Sequence, residues 1–380
     1  MSIQLNNVIT IKDIFASNIS LVQQIFKRSR VTTSPKVFFR YKNFRTHLGF
    51  NSYYHSPPVS WSNWRNAELI HWINYPSIID NRPFIIESND HPLAAGAWKK
   101  PVEEPWQVLK NIDYAHKVYN HPNCRAILIP CEGFRQLFSY YFPGEFEKKL
   151  LISPLGITCE PKLIDWKTRE LIPITFACLA SDYTRKGVDL VLKAWLSIEK
   201  PKGVRLILAC ANIPENILKT IKGDTSILVI PKPRLSKEEK DQILRNSHIS
   251  LAPTHIHGGT NVMEGIEYGH APILFDYHLR AFDSLSLKVP VPYHFYTPEK
   301  YGKEWKTFSE FFNFLQKDKQ SGQFDITVDK LIQTIKEIMN NPKNAIDCGE
   351  KAIVEGNKIF SVKNRNQNLL KIYHEVLENN

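Results

Sequence analysis

PITFACLASDYTRKGVDLVLKAWL at residues 173–196 and ISLAPTHIHGGTNVMEGIEYGHAPILF at residues 249–275 share one grammar: a short apolar run, a loop of polar residues and glycine, then an amphipathic segment. Runs of strand length recur at Ile174 to Leu179, Val204 to Cys210, Ile227 to Ile230, Ile249 to Ala252 and Pro272 to Phe275. Helical periods lie between them. Val188, Val191, Leu192, Trp195 and Leu196 make one apolar stripe, and Ser236 with Glu239 forms a capping box that opens a helix reaching about Asn246. Strands alternating with helices predict a parallel sheet covered on both faces, a Rossmann-like α/β domain.

Outward from this core, the pattern is weaker but of the same kind. Apolar runs at Pro83 to Glu87, Arg125 to Pro130 and Leu150 to Ser153, with helical segments around Ile11 to Phe26 and Trp106 to Val118, predict a second α/β domain. The expected division is residues 1–158, residues 159–359 and a closing helix over 360–380, with the linker near Thr158 to Pro173. Residues 40–64 are dense in Asn, Ser, Pro and aromatics and are expected to be loop. From Trp305 the pattern is helical, with a turn at Asn341-Pro342. No internal repeat is present.

The 380 residues, 43% of them apolar, allow about two cores of ordinary size. No run of 18 apolar residues occurs, and Asn6, Asn7, Lys12 and Asp13 interrupt the N-terminus, so a soluble, cytoplasmic protein is expected. The six cysteines lie far apart with no Cys-x-x-Cys pair, and are read as reduced, packed thiols. The net charge of +11 is concentrated early: eight basic residues face only Asp13 in the first 45 residues. Such a face is either solvated surface or a site for an anionic partner, such as a lipid-linked phosphate or an acidic glycan. Ile9, Ile11, Ile14, Phe15, Ile19, Leu21 and Val22 in the same stretch fit a helix packed on its own domain, with peripheral contact at the inner face of a membrane as the second reading. Nucleic acid is not expected, because no helix-turn-helix, zinc module or RNP-like signature accompanies the charge.

Ligands of open α/β sheets bind beyond the carboxyl ends of the strands. Two loops there carry chemistry: Ser181 to Gly187, and Pro253 to Asn261. Gly258 and Gly259 permit close backbone approach, and Thr260 is expected to cap a helix from Asn261 to Tyr268, whose free amides face the crevice. Arg185 and Lys186 add counter-charge. Glu264, one turn further, is expected to accept two hydroxyl hydrogen bonds from a ribose. Taken singly, each feature is common in ordinary loops; their order and their shared place at strand ends point to a nucleoside diphosphate. His255, His257, His270 and His278 match no zinc spacing, so neither a metal nor a bound cofactor is expected. His257 is read as a neutral donor toward sugar or phosphate.

These segments resemble retaining glycosyltransferases of the GT-B fold, family 4. Lys186-Gly187-Val188-Asp189 through Leu192 to Trp195 is similar to that family's Lys-Gly-x-Asp motif. The stretch from His257 through Glu264 to Gly269 and Pro272 is similar to its Glu-rich helix motif, and Phe360-Ser361 with Leu369, Tyr373 and Val376 to its closing segment. The resemblance implies two Rossmann-like domains facing across a cleft, closed by the C-terminal helix. It further implies transfer of a sugar from a nucleotide-diphosphate donor to a hydroxyl of a glycan or lipid-linked acceptor, with retention and without metal. Arg185, Lys186, Gly258, Gly259, Thr260, Asn261 and Glu264 would hold the donor; His257, with Asp90 or His91 from the first domain, would face the sugar. Two departures are visible: Ile256-His257 stands where the family has its first glutamate, and Ala180-Ser181 replaces a Gly-Arg pair. They motivate an alternative, a GT-B scaffold impaired in catalysis that serves as a binding or assembly partner. A sugar-nucleotide epimerase of the same architecture is a further alternative.

Overall fold

The structure is a computed structural model and describes residues 3–5, 69–73, 81–88, 112–154, 156, 173–231, 235–255, 260–276, 282–293 and 308–378. The expected helix at 11–26, the loop at 40–64 and nearly all of the basic N-terminal stretch lie outside these residues. The chain divides into two compact units. One is Met1–Thr158 with Pro298–Phe308 and Phe360–Asn380; the other is Cys159–Thr297 with Ser309–Ile359.

The first unit carries five parallel strands, β1 (Ile3–Leu5), β2 (Leu69–Ile73), β3 (Phe84–Glu87), β4 (Cys124–Ile129) and β5 (Leu150–Ile152), hydrogen-bonded in that order. All four residues of β3 are buried, as expected of a strand covered on both faces. Helices α1 (Ile112–Tyr119) and α2 (Glu132–Tyr141) meet through rings: Tyr119 lies 5.3 Å from Phe138 and 5.6 Å from Phe142, both edge-on. The expected helix from Trp106 is found only from Ile112 onward, residues 106–111 lying outside the described set. Strands β1 and β2 are absent from the sequence reading.

In the second unit the strands are β6 (Thr175–Ala180), β7 (Arg205–Cys210), β8 (Ile227–Ile230), β9 (Ile249–Ala252), β10 (Ala271–Phe275) and β11 (Leu287–Val289). All pairings are parallel, in the order β11-β10-β9-β6-β7-β8. Counted from β6 as the first, this is the 3-2-1-4-5-6 order of a doubly wound sheet, and the order reverses between β6 and β9. Helices α3 (Val188–Leu196), α4 (Glu215–Ile221), α5 (Lys237–Arg245) and α6 (Thr260–Glu267) connect the strands; α7 (Phe308–Gln320), α8 (Asp325–Asn340) and α9 (Pro342–Phe360) follow.

The capping box at α5 is present: Ser236 Oγ accepts from Glu239 N, and Glu239 Oε2 accepts from Ser236 N. The stripe expected on α3 needs correction. Leu196 is 43% exposed, whereas Leu190 and Ala194 are buried, because α8 packs on α3 as well. A second covering layer turns a one-sided helix into one buried nearly all round. Where α9 crosses α6, a Cβ on Gly356 would lie 2.6 Å from Ile266, so only glycine allows that approach.

The last helix, α10 (Val362–Glu378), belongs to the first unit. Leu369, Ile372, Tyr373 and Val376, at helical spacing, pack on Leu69, Ile85, Ala126 and Leu128 of its sheet. Beside this apolar seam lies a buried polar network. Arg365 donates to Glu87 Oε2 at 2.6 Å, to the carbonyl and hydroxyl of Ser153 at 3.0 Å each, and to Pro154 O. His71 Nδ1 is 2.7 Å from the Tyr373 hydroxyl and its Nε2 is 3.4 Å from Glu87. Burial pushes His71 below the ordinary histidine value despite Glu87, so the imidazole is neutral at pH 7, with one ring nitrogen able to donate and the other to accept. Glu87 and Arg365 are 3% and 4% exposed, and each makes the other's burial tolerable.

Candidate functional site

The site is built where the strand order reverses. Strand β6 leads into Ser181–Gly187 and α3, and β9 leads into the loop before α6. Asp182 organises the first loop: its Oδ1 accepts from Arg185 N at 2.7 Å and its Oδ2 from Asn212 Nδ2 at 3.1 Å. Asn212 in turn accepts from Tyr183 N, which ties the loop to the end of β7. Gly187 then adopts φ +67°, and a Cβ there would sit 2.2 Å from Pro253 O and 2.7 Å from the Phe275 ring. The glycine is therefore required twice, by its left-handed backbone and by contact with the second loop.

Two hydrogen bonds complete the join. His255 N donates to Arg185 O at 3.3 Å, and Asn261 Nδ2 donates to Leu179 O at 2.7 Å. The described ends of the two strand-end loops are thus tied to each other.

The charges divide into those already paired and those left open. Lys319, on α7, donates to both oxygens of Asp189 at 2.9 and 2.8 Å and fastens the start of α3. The Lys186 ammonium has no hydrogen bond or ion pair among the described residues, while its backbone N–H donates to Asp182 O at 3.2 Å. Burial, with Arg185 beside it, pushes its ammonium down to about 8 from an ordinary 10.5, against the pull of Asp182. The Nε of Arg185 is buried without a partner. Adjacent, partly desolvated cations with only the unbonded Asp182 carboxylate nearby are unfavourable, and an anion placed between them removes the penalty.

The expected residues fall as follows. Arg185 and Lys186 are together at the end of β6. Thr260 is the first residue of α6 rather than its cap; the helix begins one residue earlier than expected and ends at Glu267. Asn261 spends one amide N–H on Leu179 O at the end of β6. Glu264, expected to accept two hydroxyl hydrogen bonds from a ribose, already accepts one bond at Oε1 from Lys240 Nζ at 2.8 Å, and its Oε2 is buried without a partner among the described residues. His257, Gly258 and Gly259, and Asp90 and His91, lie outside the described residues.

Two of the four histidines are committed elsewhere. The His255 ring packs 5.2 Å from Phe275 and 5.5 Å from Phe324. His270 bridges Ser250 Oγ at 2.7 Å and Leu244 O at 2.8 Å. His278 lies outside the described residues. The cysteines Cys124, Cys131, Cys178 and Cys210 are buried thiols outside any disulfide, and burial pushes Cys124 up to about 12.

Sequence reasoning missed Asp182, Asn212, Lys240 and Lys319. For Asp182 a signal existed, since Asp three residues before a backbone amide in a post-strand loop is a turn-forming arrangement. For Lys240 and Lys319 none did, because their partners lie 24 and 130 residues away.

No protein-family model matches the sequence, and no curated protein matches it. Solved structures do. The chain is similar to a glycosyltransferase from Rickettsia africae ESF-5 at 12% identity and TM-score 0.50, over 96% of this chain and 89% of that one. It is similar to Anabaena HepE, solved in complex with UDP, at 12% identity and TM-score 0.51, over 83% and 80% of the two chains. The N-terminal domain of Candida albicans trehalose-6-phosphate phosphatase aligns at 13% identity and TM-score 0.53, over 90% and 74%. At such identities the likeness establishes the fold, GT-B, in agreement with the two parallel-sheet α/β units.

Proposed function

We propose that the protein is a glycosyltransferase that takes a sugar from a nucleoside-diphosphate donor bound by the second unit and passes it to an acceptor hydroxyl. One observation carries this reading: at the reversal point of a 3-2-1-4-5-6 sheet, the half-buried Lys186 ammonium and the buried Arg185 Nε have no hydrogen-bond partner among the described residues. A diphosphate supplies the missing counter-charge. As the glycosidic bond to the donor breaks, negative charge grows on the leaving diphosphate, and preorganised cations and helix-start amides hold it at little reorganisation cost. Because side chains provide that charge, we assign the reaction no metal and no cofactor.

Retention of configuration and membership of family 4 rest on the order of the three sequence motifs. His257, with Asp90 or His91, is the sugar-facing set in this reading. The acceptor is a glycan or lipid-linked hydroxyl, anionic if the basic first 45 residues engage it, with peripheral membrane contact through the same stretch and a cytoplasmic setting. No helix among the described residues is long and apolar enough to cross a membrane. That HepE was solved with UDP makes UDP the first ligand to try.

Calorimetry with UDP, ADP and GDP tests the donor site. Binding of at least one is expected, weakened by about 1.5–3 kcal/mol in Lys186→Ala, the loss of a charge-assisted bond. Failure of all three to bind refutes the site. With matching nucleotide sugars, slow release of free sugar is expected without acceptor. Nucleotide binding with no release from any donor would make the protein a scaffold, as Ile256-His257 in place of a carboxylate allows, and an epimerised donor would make it an epimerase.

A further inference from the structure

His71 sits sealed beneath α10, the helix that follows α9 of the second unit with only Ser361 between and returns the chain to the first unit. Among the described residues, the charged groups facing its ring are Glu87 of β3 and Arg365 of α10, with the Tyr373 hydroxyl of α10 as polar neighbour. Glu87 and Arg365 are bound to each other at 2.6 Å, and their charges cancel. The Glu87 oxygen that meets Arg365 is the same one that lies 3.4 Å from His71 Nε2, and Nε2 forms no hydrogen bond. The carboxylate is thus committed to the guanidinium, and a proton added to His71 would leave a net positive charge in a place closed to solvent.

A second cost falls on Tyr373. Burial raises its phenol and keeps it protonated, so the O–H donates to His71 Nδ1 at 2.7 Å, its one side-chain hydrogen bond among the described residues. A proton on Nδ1 turns that acceptor into a donor. The hydroxyl must then reverse, and its own proton loses its acceptor. Burial accordingly holds the docked imidazole below its ordinary 6.5 even with Glu87 close by, whereas release of α10 would return the ring to water and to ordinary titration.

We propose that His71 makes the docking of α10 on the first sheet acid-sensitive: firm at neutral pH and reversibly released in mild acid, while the second unit stays folded. With α10 docked, His71 binds fewer protons than with α10 released, so docking has full strength above pH 6.5 and weakens as the pH falls below it. The loss is about tenfold for each pH unit, until the docked imidazole itself takes a proton. Glu87 ends β3 and Ser153 follows β5, so release would open the carboxyl edge of the sheet, the side on which such sheets take ligands.

Hydrogen exchange on the full chain between about pH 7.5 and 5, expressed as protection factors so that the intrinsic pH dependence of exchange cancels, tests the latch. Amides of α10 should lose protection by about tenfold per unit below pH 6.5, those of α8 should keep theirs, and the loss should reverse on return to neutral pH. In His71→Gln, whose amide can still meet Tyr373 and cannot titrate, α10 protection should stay level across the range. His71→Phe with Tyr373→Phe is a second non-titrating form, to be used if the first does not fold, and the same level profile is expected of it. Level α10 protection in wild type down to the acid end overturns the proposal. So does an equal fall in α8, which would mark unfolding of the whole protein, and so does a fall in a non-titrating form as steep as in wild type.

Discussion

Replacing Lys186 by Met should stabilise the ligand-free protein while weakening its nucleotide binding. The folded-state pKa of Lys186 falls from 10.5 to about 8, so between those values the unfolded chain binds more protons than the folded one, and stability rises with pH across that window. Below pH 8 the ammonium is charged in both states and the full penalty is present; above 10.5 it is gone. At about 1.4 kcal/mol for each tenfold change in proton affinity, the penalty at pH 7 is about 3 kcal/mol as an upper value, with relaxation and water reducing it toward about 1. Met keeps most of the stem volume and removes the charge, so a gain of about 1–3 kcal/mol is expected at pH 7. The assay is thermal unfolding of both proteins without ligand at pH 7 and at pH 9.5. The variant should melt higher at pH 7, the difference should shrink at pH 9.5, and UDP should raise the wild-type melting temperature more than that of the variant. A variant that melts at or below wild type at pH 7 without ligand would refute the view of Lys186 as an uncompensated buried charge.

Three other outcomes follow from the same geometry. Nucleotide affinity should be level below pH 8 and decline above it as Lys186 loses its proton in the free protein; calorimetry from pH 6.5 to 9.5 checks this, and a level profile through pH 9.5 contradicts it. Gly187→Ala should cost about 2–4 kcal/mol, because the added Cβ meets Pro253 O at 2.2 Å and the backbone is left-handed; a chemical denaturation midpoint within error of wild type would show that the loops are not tightly joined. Arg365→Leu should destabilise by about 3–5 kcal/mol by stranding the Glu87 carboxylate, and the double change Arg365→Leu with Glu87→Leu should recover part of that loss; a double variant no better than the single would deny the coupling.

Five of the six strands of the second unit could be read to within a residue because a buried strand is a continuous apolar run, and burial of that kind writes itself into local composition; β11, only partly buried, was missed. The strand β2, with sequence LIHWI, was missed because His71 interrupts the run; what makes that histidine tolerable is Tyr373, 302 residues away. The cations of the site and the strand ends that hold them were legible, since loop position after a strand is a local property. The state of each charge was not. Glu264 looked like a free carboxylate and is half occupied by Lys240; Asn261 looked like a ligand group and is a strut to β6.

The sequence by itself determined the alternation of strand and helix, the glycine at 187, the capping box at Ser236 and the C-terminal apolar stripe, because each depends on residues within one or two turns of each other. Only the tertiary structure decided the strand order that puts the reversal point between β6 and β9 and brings the two loops into contact. Only it decided which charges are paired, at Lys319 and Asp189, and which are left half-buried without a side-chain partner among the described residues, at Lys186 and at the Nε of Arg185. The physical reason is that the energy of a charge depends on what surrounds it, and for these residues the surroundings come from segments far away along the chain.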